Sequence, residues 1–173
     1  MRMRNLIMLG AAASMLAATA SATTLKKMSF REKVKDAEIG VLATATGTTS
    51  EVVGGAVYSL TTFEVTDVAF GNAPRTITVR TEGGARPGAA IRVSETVAGA
   101  PVFLGGTSSL LLLDEADGAY EVVGYNQGVF GVADVAGAKR VMLPEDHGGS
   151  VTVEEAIGIL SDERSAADAE IER

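Results

Sequence analysis

The sequence predicts a mostly β fold: a small curled or closed antiparallel barrel with a short N-terminal helix and a C-terminal helix. Three observations carry this. Apolar residues alternate through 57–70, 76–81 and 90–97, each stretch bounded by Gly, Pro or Asn, as half-buried strands require. Within the longest stretch the phase slips: Tyr58 and Leu60 are even, Phe63 and Val65 odd, Val68 and Phe70 even again. A strand with one buried face changes phase only through an extra residue, so bulges are expected at or beside Thr61 and Thr66. Such bulges let a long sheet curl and close. Finally, Ser29-x-x-Glu32 and Thr152-x-x-Glu155 carry the spacing of capping boxes, marking where two helices begin.

Taken in order, Phe30, Val34 and Ala37 recur at helical spacing, placing a short helix over 30–38. From Ile39 the texture turns to Val, Leu, Thr and small residues, which is strand-like, and Gly54-Gly55 carries the turn into the stretch 57–70. A turn at Gly71-Asn72-Ala73-Pro74 leads to the strand 76–81, and GGARPG (83–88) is a loop. Leu110–Leu113 is a continuous apolar run, consistent with a strand buried on both faces. DEADG (114–118) joins it to Tyr120–Val123 as a hairpin. Gly124–Gly128 breaks the chain before Val129–Val132, and Arg140–Leu143 reads as the last strand, stopped by Pro144. Val153, Ala156, Ile157 and Leu160 form one side of the closing helix, and SDERSAADAEIER reads as a frayed helix or polar tail. The expectation is six to eight strands around one core, a barrel domain over 23–143 and a C-terminal loop, helix and tail over 144–173.

Residues 1–22 have the plan of a secretory signal peptide. Arg2 and Arg4 make the positive start, Leu6 to about Ala18 the apolar run, and Ala20-Ser21-Ala22 the small-residue cleavage site. The run is short and Ala-rich for a membrane span, so no stable span is expected after processing. The chain is therefore expected in the periplasm or the medium. Its 173 residues fit one domain, and a core of this size needs no disulfide, in keeping with the absence of Cys. The net charge is −7, and −9 once Arg2 and Arg4 are lost. An acidic chain gains nothing from phosphate counterion release, which argues against nucleic acid as a partner.

Little chemistry is encoded in compact motifs. His147, the single histidine, sits in a Gly-rich loop after Pro144, no Gly-x-Ser-x-Gly elbow occurs, and a solvent-facing loop histidine is expected. Zinc and soft metals need Cys or several His, and neither is available. An EF-hand ending on DEADG would need an acid at 113 and Glu at 124, where Leu and Gly stand. Glu64, Asp67, Glu82 and Glu95 are spread over predicted strands and form no readable acid pair. Gly83-Gly84 and Gly105-Gly106-Thr107 lack the Lys and helix of a phosphate loop. No cofactor and no metal are expected. Tyr125-Asn126-Gln127 is the one place where an aromatic and two amides stand together between strands, which suits a polar ligand or a peptide edge and equally suits a turn.

At TTFEVTDVAFG (61–71), ITVRTEGG (77–84), GAPVFLGG (99–106), LLLLD (110–114) and YEVVGYNQGVFGV (120–132), the chain resembles a family of small exported bacterial β-rich proteins. The likeness spans roughly residues 30–143 and brings no catalytic residues with it. The order of helix, bulged strands and closing hairpins is also similar to the OB-type barrel of netrin and metalloproteinase-inhibitor modules. Those modules depend on disulfides and an N-terminal Cys, which this chain lacks, so their inhibitory mechanism is not implied. The resemblances imply an OB-like barrel. The functional expectation is a non-catalytic binding or interaction module of the cell envelope, with a protein, peptide or envelope polymer as partner. The alternatives are an envelope hydrolase, or a structural or assembly protein using an exposed sheet edge.

Overall fold

The computed structural model describes residues 25–88, 91 and 93–171, so the expected signal segment 1–22 lies outside the described residues. Helix α1 (Phe30–Asp36) begins at Ser29. The Glu32 backbone N–H donates to the Ser29 hydroxyl (3.2 Å), and the Ser29 N–H donates to the Glu32 carboxylate (2.7 Å). Helix α2 (Val153–Ile171) repeats the device: the Glu155 N–H donates to the Thr152 hydroxyl (3.2 Å) and the Thr152 N–H to the Glu155 carboxylate (2.8 Å). Of the two readings of the segment after Ser161, a frayed helix or a polar tail, the structure has the helix, which runs to Ile171. Ala167 is buried well beyond that point, and Arg164 donates to the Ala37 carbonyl at 2.6 Å, tying the last turns of α2 to the end of α1.

These backbone hydrogen bonds hold the Glu32 and Glu155 carboxyls below their ordinary 4.5. A carboxylate with a depressed folded-state pKa contributes stability above its unfolded value and loses it as pH falls through the folded one. Stability should therefore decline as pH drops below about 4.5. Glu32→Gln/Glu155→Gln should flatten that acid limb in urea titrations at stepped pH by lowering stability at neutral pH toward its acid value, because Gln, like the protonated carboxyl, lacks the charge these hydrogen bonds favour.

The strands are β1 (Ile39–Val53), β2 (Ala56–Phe70), β3 (Thr76–Glu82), β4 (Gly84–Ala85), β5 (Ser94–Glu95), β6 (Ser108–Ala116), β7 (Ala119–Val122), β8 (Val129–Val135), β9 (Ala138–Met142) and β10 (Ser150–Thr152). β1, β2, β3, β7 and β6 pair in that order, and β6 returns to β1, giving a curled, partly closed ring of five strands. One seam departs from the antiparallel expectation. β3 and β7 run parallel, with Val79 beside Tyr120 and Arg80 beside Glu121. On one flank β6 carries first β8 and then β7, and β9 and β10 extend the sheet beyond β8. Asp117 and Gly118, both at positive φ (53° and 77°), make the two-residue turn of the β6–β7 hairpin, as Asp-Gly favours. β9 is not the last strand, because the 3-10 turn Glu145–His147 reverses the chain and β10 pairs back onto it. The expected strand over 90–97 shrinks to the two residues of β5; Ile91 and Val93 are exposed, and residues 89, 90 and 92 lie outside the described residues.

The bulges are real, and one differs from expectation. Thr66 is the extra residue of β2 between the pairs Leu42–Asp67 and Ala43–Val65, and its hydroxyl donates to the Leu42 carbonyl at 3.1 Å. Near Thr61 the extra residue lies on the partner strand: Thr46 of β1 bulges between Ala45–Phe63 and Gly47–Thr62 and donates to the Thr62 carbonyl. β2 itself keeps its phase there, since Val57, Thr61 and Phe63 all face inward and are buried. Tyr58 and Leu60 lie on the outer face, half-buried. A further register shift beside Ala69 lets Ala69 and Phe70 reach a second core, where the Phe70 ring covers Gly40 so closely that a Cβ there would come within 2.5 Å.

The core is divided by the sheet. Inside the ring lie Ile39, Val41, Phe63, Ile77, Val79, Leu111 and Leu113. Outside it Leu110 and Leu112 join Phe30, Val34, Phe130, Val141 and Leu160 beneath the two helices. The run Leu110–Leu113 is thus buried on both faces, with all four residues at 0% exposure. Lys33 is also buried in the outer core. Its ammonium donates to the Gln127 carbonyl at 3.0 Å and sits 4.9 Å from the Phe130 ring, and burial lowers its pKa against an opposing pull from Asp146.

Candidate functional site

Residues directly opposite on paired strands share a face. The register therefore builds two rows on the outer surface of the ring: Glu51–Tyr58–Glu82, and Thr49–Leu60–Arg80–Glu121. The second row crosses the parallel seam, and there Arg80 Nε and Nη2 both donate to one oxygen of Glu121 (2.9 and 2.8 Å). Asp117, in the β6–β7 turn, lies 3.6 Å from the same guanidinium, which also stands 5.7 Å from the Tyr58 ring. The Glu121 hydrogen bonds raise the Arg80 pKa further above its ordinary value.

These side chains line a cleft of about 320 Å³ together with Val53, Ala100, Pro101 and Tyr125. Tyr125 closes one wall from the 3-10 turn Tyr125–Gly128. It holds φ at 61°, a left-handed conformation in which a bulky side chain is strained. Its hydroxyl is held above the ordinary tyrosine range, first by the Glu82 carboxylate and then by burial. Three carboxylates and one committed arginine leave the cleft acidic. Tyr58 and Tyr125 add two aromatic rings to its lining.

A neighbouring cavity of about 320 Å³ shares Thr81, Glu82, Ala100 and Pro101 and opens at the mouth of the barrel. Its inner wall is hydroxylated: Thr48 and Thr61 lie 3.0 Å apart, and Ser59 donates to the Gly83 carbonyl. Phe103, set edge-on to Phe63 with centroids 4.9 Å apart, plugs the barrel beneath it.

The trio 125–127 does not form one site. Tyr125 faces the cleft, while Asn126 lines a separate, open depression with Pro101, Val102 and Leu104. Gln127 is a clamp on the N-terminal segment, accepting from the Met28 N–H and donating to the Lys26 carbonyl, both at 2.9 Å. His147 is less exposed than expected of a loop histidine, at 21% of its side chain. Its ring lies 4.2 Å from that of Phe30, with Nδ1 3.0 Å from Asp146 and Nε2 3.7 Å from Glu163, and it lines none of these clefts. That contact with His147 lowers the Asp146 pKa. Among the four dispersed carboxylates only Glu82 reaches the main cleft, and Glu95 is paired with Arg86.

Tyr58, Arg80 and Glu121 belong to no motif that marks them as a site. Each has an outward position on an alternating strand, which was the available signal. Which outward positions meet depends on the parallel seam. Among the described residues no group of three or more His, Cys, Asp or Glu is placed to hold a metal ion, and no helix is long and apolar enough to cross a membrane. No protein-family model, curated protein or solved structure matches the chain.

Proposed function

We propose that this protein is an exported, non-catalytic binding module of the cell envelope, and that its outer cleft holds a saccharide chain bearing hydroxyl and amino groups. The observation that carries the reading is the cleft itself. Tyr58 and Tyr125 offer ring faces for stacking, Glu82, Asp117 and Glu121 accept hydrogen bonds, and Tyr125 is kept there despite its strained backbone. The position supports it by analogy. OB-type barrels bind oligonucleotides and oligosaccharides on the face of their second and third strands, between the 1–2 and 4–5 turns. Here the corresponding surface is β2 and β3 between Val53 and Asp117. Acidity separates the two ligand classes, because a phosphate backbone meets excess carboxylate while an amino sugar meets its counter-charge. Export rests on the charge, apolar run and small-residue plan of residues 1–22.

Calorimetric titration of the protein with a glucosamine hexamer, a maltose-type hexamer and a single-stranded DNA oligomer tests this. The expected result is saturable binding of the amino-sugar probe, weaker or absent binding of the neutral one, and none of DNA. Tyr58→Ala should weaken the amino-sugar complex about three- to tenfold, one stacking face being worth roughly 1 kcal/mol. Tight DNA binding, absence of any saccharide binding, or cleavage of the probe during the titration would each overturn the proposal.

A further inference from the structure

β1 is paired on both sides only at its beginning. β6 accompanies it from Ile39 to Thr44, and two more backbone bonds, Ala45 N–H to the Thr107 carbonyl and Gly106 N–H to the Ala45 carbonyl, end the contact. From Gly47 to Val53 β1 has β2 on one flank and no strand on the other, among the described residues. Open edges of this kind recruit further strands, and proteins usually blunt them with Lys, Pro, short length or a covering element. The opposite end of the sheet is blunted: β10 has three residues and runs directly into α2. The stretch GTTSEVV is not. It holds no Lys and no Pro, it is rich in Thr and Val, and its one charge is Glu51.

We propose that this free flank pairs antiparallel with the same flank of a second copy of the chain, about a two-fold axis through Ser50. A two-fold perpendicular to the sheet pairs residues of like parity, and Ser50 is the midpoint of Gly47–Val53, so this register uses the whole open stretch. It sets Glu51 opposite Thr49 of the other copy, twice, with no like charges facing. It continues the outer rows from one subunit into the next, so that Glu51–Tyr58–Glu82 abuts Thr49–Leu60–Arg80–Glu121 of the second copy. The two Tyr58 positions then lie on one surface three strand spacings across and two residues along, about 16 Å apart. If the cleft is the ligand site proposed above, a long polymer meets two such sites side by side; the pairing itself does not depend on that reading. One strand pair falls short of the roughly 1,200 Å² of a stable interface, so the dimer is weak and concentration-dependent. Each copy carries a net charge of −7, so added salt strengthens it by screening their repulsion.

Sedimentation velocity from micromolar to millimolar protein, without ligand and at low and high salt, reads the state. The expected result is a monomer–dimer equilibrium that shifts toward dimer with salt. Thr49 is exposed, and changing its charge tests the register. Thr49→Lys places an ammonium opposite each Glu51 and should tighten the dimer about three- to tenfold, whereas Thr49→Glu should weaken it by a similar factor. Ala133→Lys, an exposed change on β8, controls for net charge and should do little. A protein that stays monomeric at millimolar concentration in high salt overturns the proposal. So does a dimer in which the two Thr49 variants, both confirmed folded by circular dichroism, shift the equilibrium in the same direction or no more than Ala133→Lys. Saccharide binding that persists in a strictly monomeric protein would sink this pairing while leaving the cleft intact.

Discussion

Leu111→Ala and Leu112→Ala are each expected to cost about 3 kcal/mol of stability, within the roughly 2–5 kcal/mol seen for truncating a fully buried leucine. Both side chains have no exposed surface, so each loses its transfer term and leaves a cavity. Against a total stability of roughly 5–15 kcal/mol, either change lowers the urea midpoint by a large fraction. The two should differ in where the protein loosens. Leu111 belongs to the ring interior with Phe63, Ile77 and Val79, whereas Leu112 belongs to the outer core with Phe30, Val34 and Leu160. In native-state hydrogen exchange, Leu112→Ala should therefore lower protection of the α1 and α2 amides first, and Leu111→Ala that of β2 and β3. Equal loss everywhere would mean that the two cores melt as one unit.

How much of this was legible in the sequence depends on range. The capping boxes at Ser29 and Thr152, the Asp117-Gly118 hairpin and the doubly buried run Leu110–Leu113 are local patterns, and each folds as its residues suggest. The bulge at Thr66 was legible for the same reason: the apolar phase really changes there. Near Thr61 the extra residue lies on the partner strand, at Thr46. Tyr58 and Leu60 are apolar because the outer face of β2 is itself half covered, so two faces of one strand mimicked a phase slip. The cleft was the least legible feature. Arg80 and Glu121 stand 41 residues apart and meet across a parallel seam that no alternation pattern announces. Of the trio singled out for its polarity only Tyr125 faces the cleft, because a 3-10 turn fans successive side chains in different directions.

Tyr125→Gly should raise stability relative to Tyr125→Ala by about 1 kcal/mol, because only glycine adopts the left-handed backbone without a steric cost. Both variants lose the same ring, so the comparison isolates the strain at φ 61° from the packing of a half-buried aromatic. Thermal or urea unfolding of the pair measures it. The two variants should then agree in the other observable. Without the ring facing Glu82 and Tyr58 across the cleft, affinity for the amino-sugar probe should fall about thirtyfold in each, the effect of losing a central contact worth roughly 2 kcal/mol. A residue kept for folding would instead leave both variants well below the natural protein in stability, with Gly still above Ala, and binding unchanged. Gly124, already left-handed at φ 65°, makes the contrast sharper: a glycine stands at the first of two consecutive left-handed positions and a tyrosine at the second. Tyr125 is therefore the position at which the paired variants separate the cost of the backbone from the contribution of the ring.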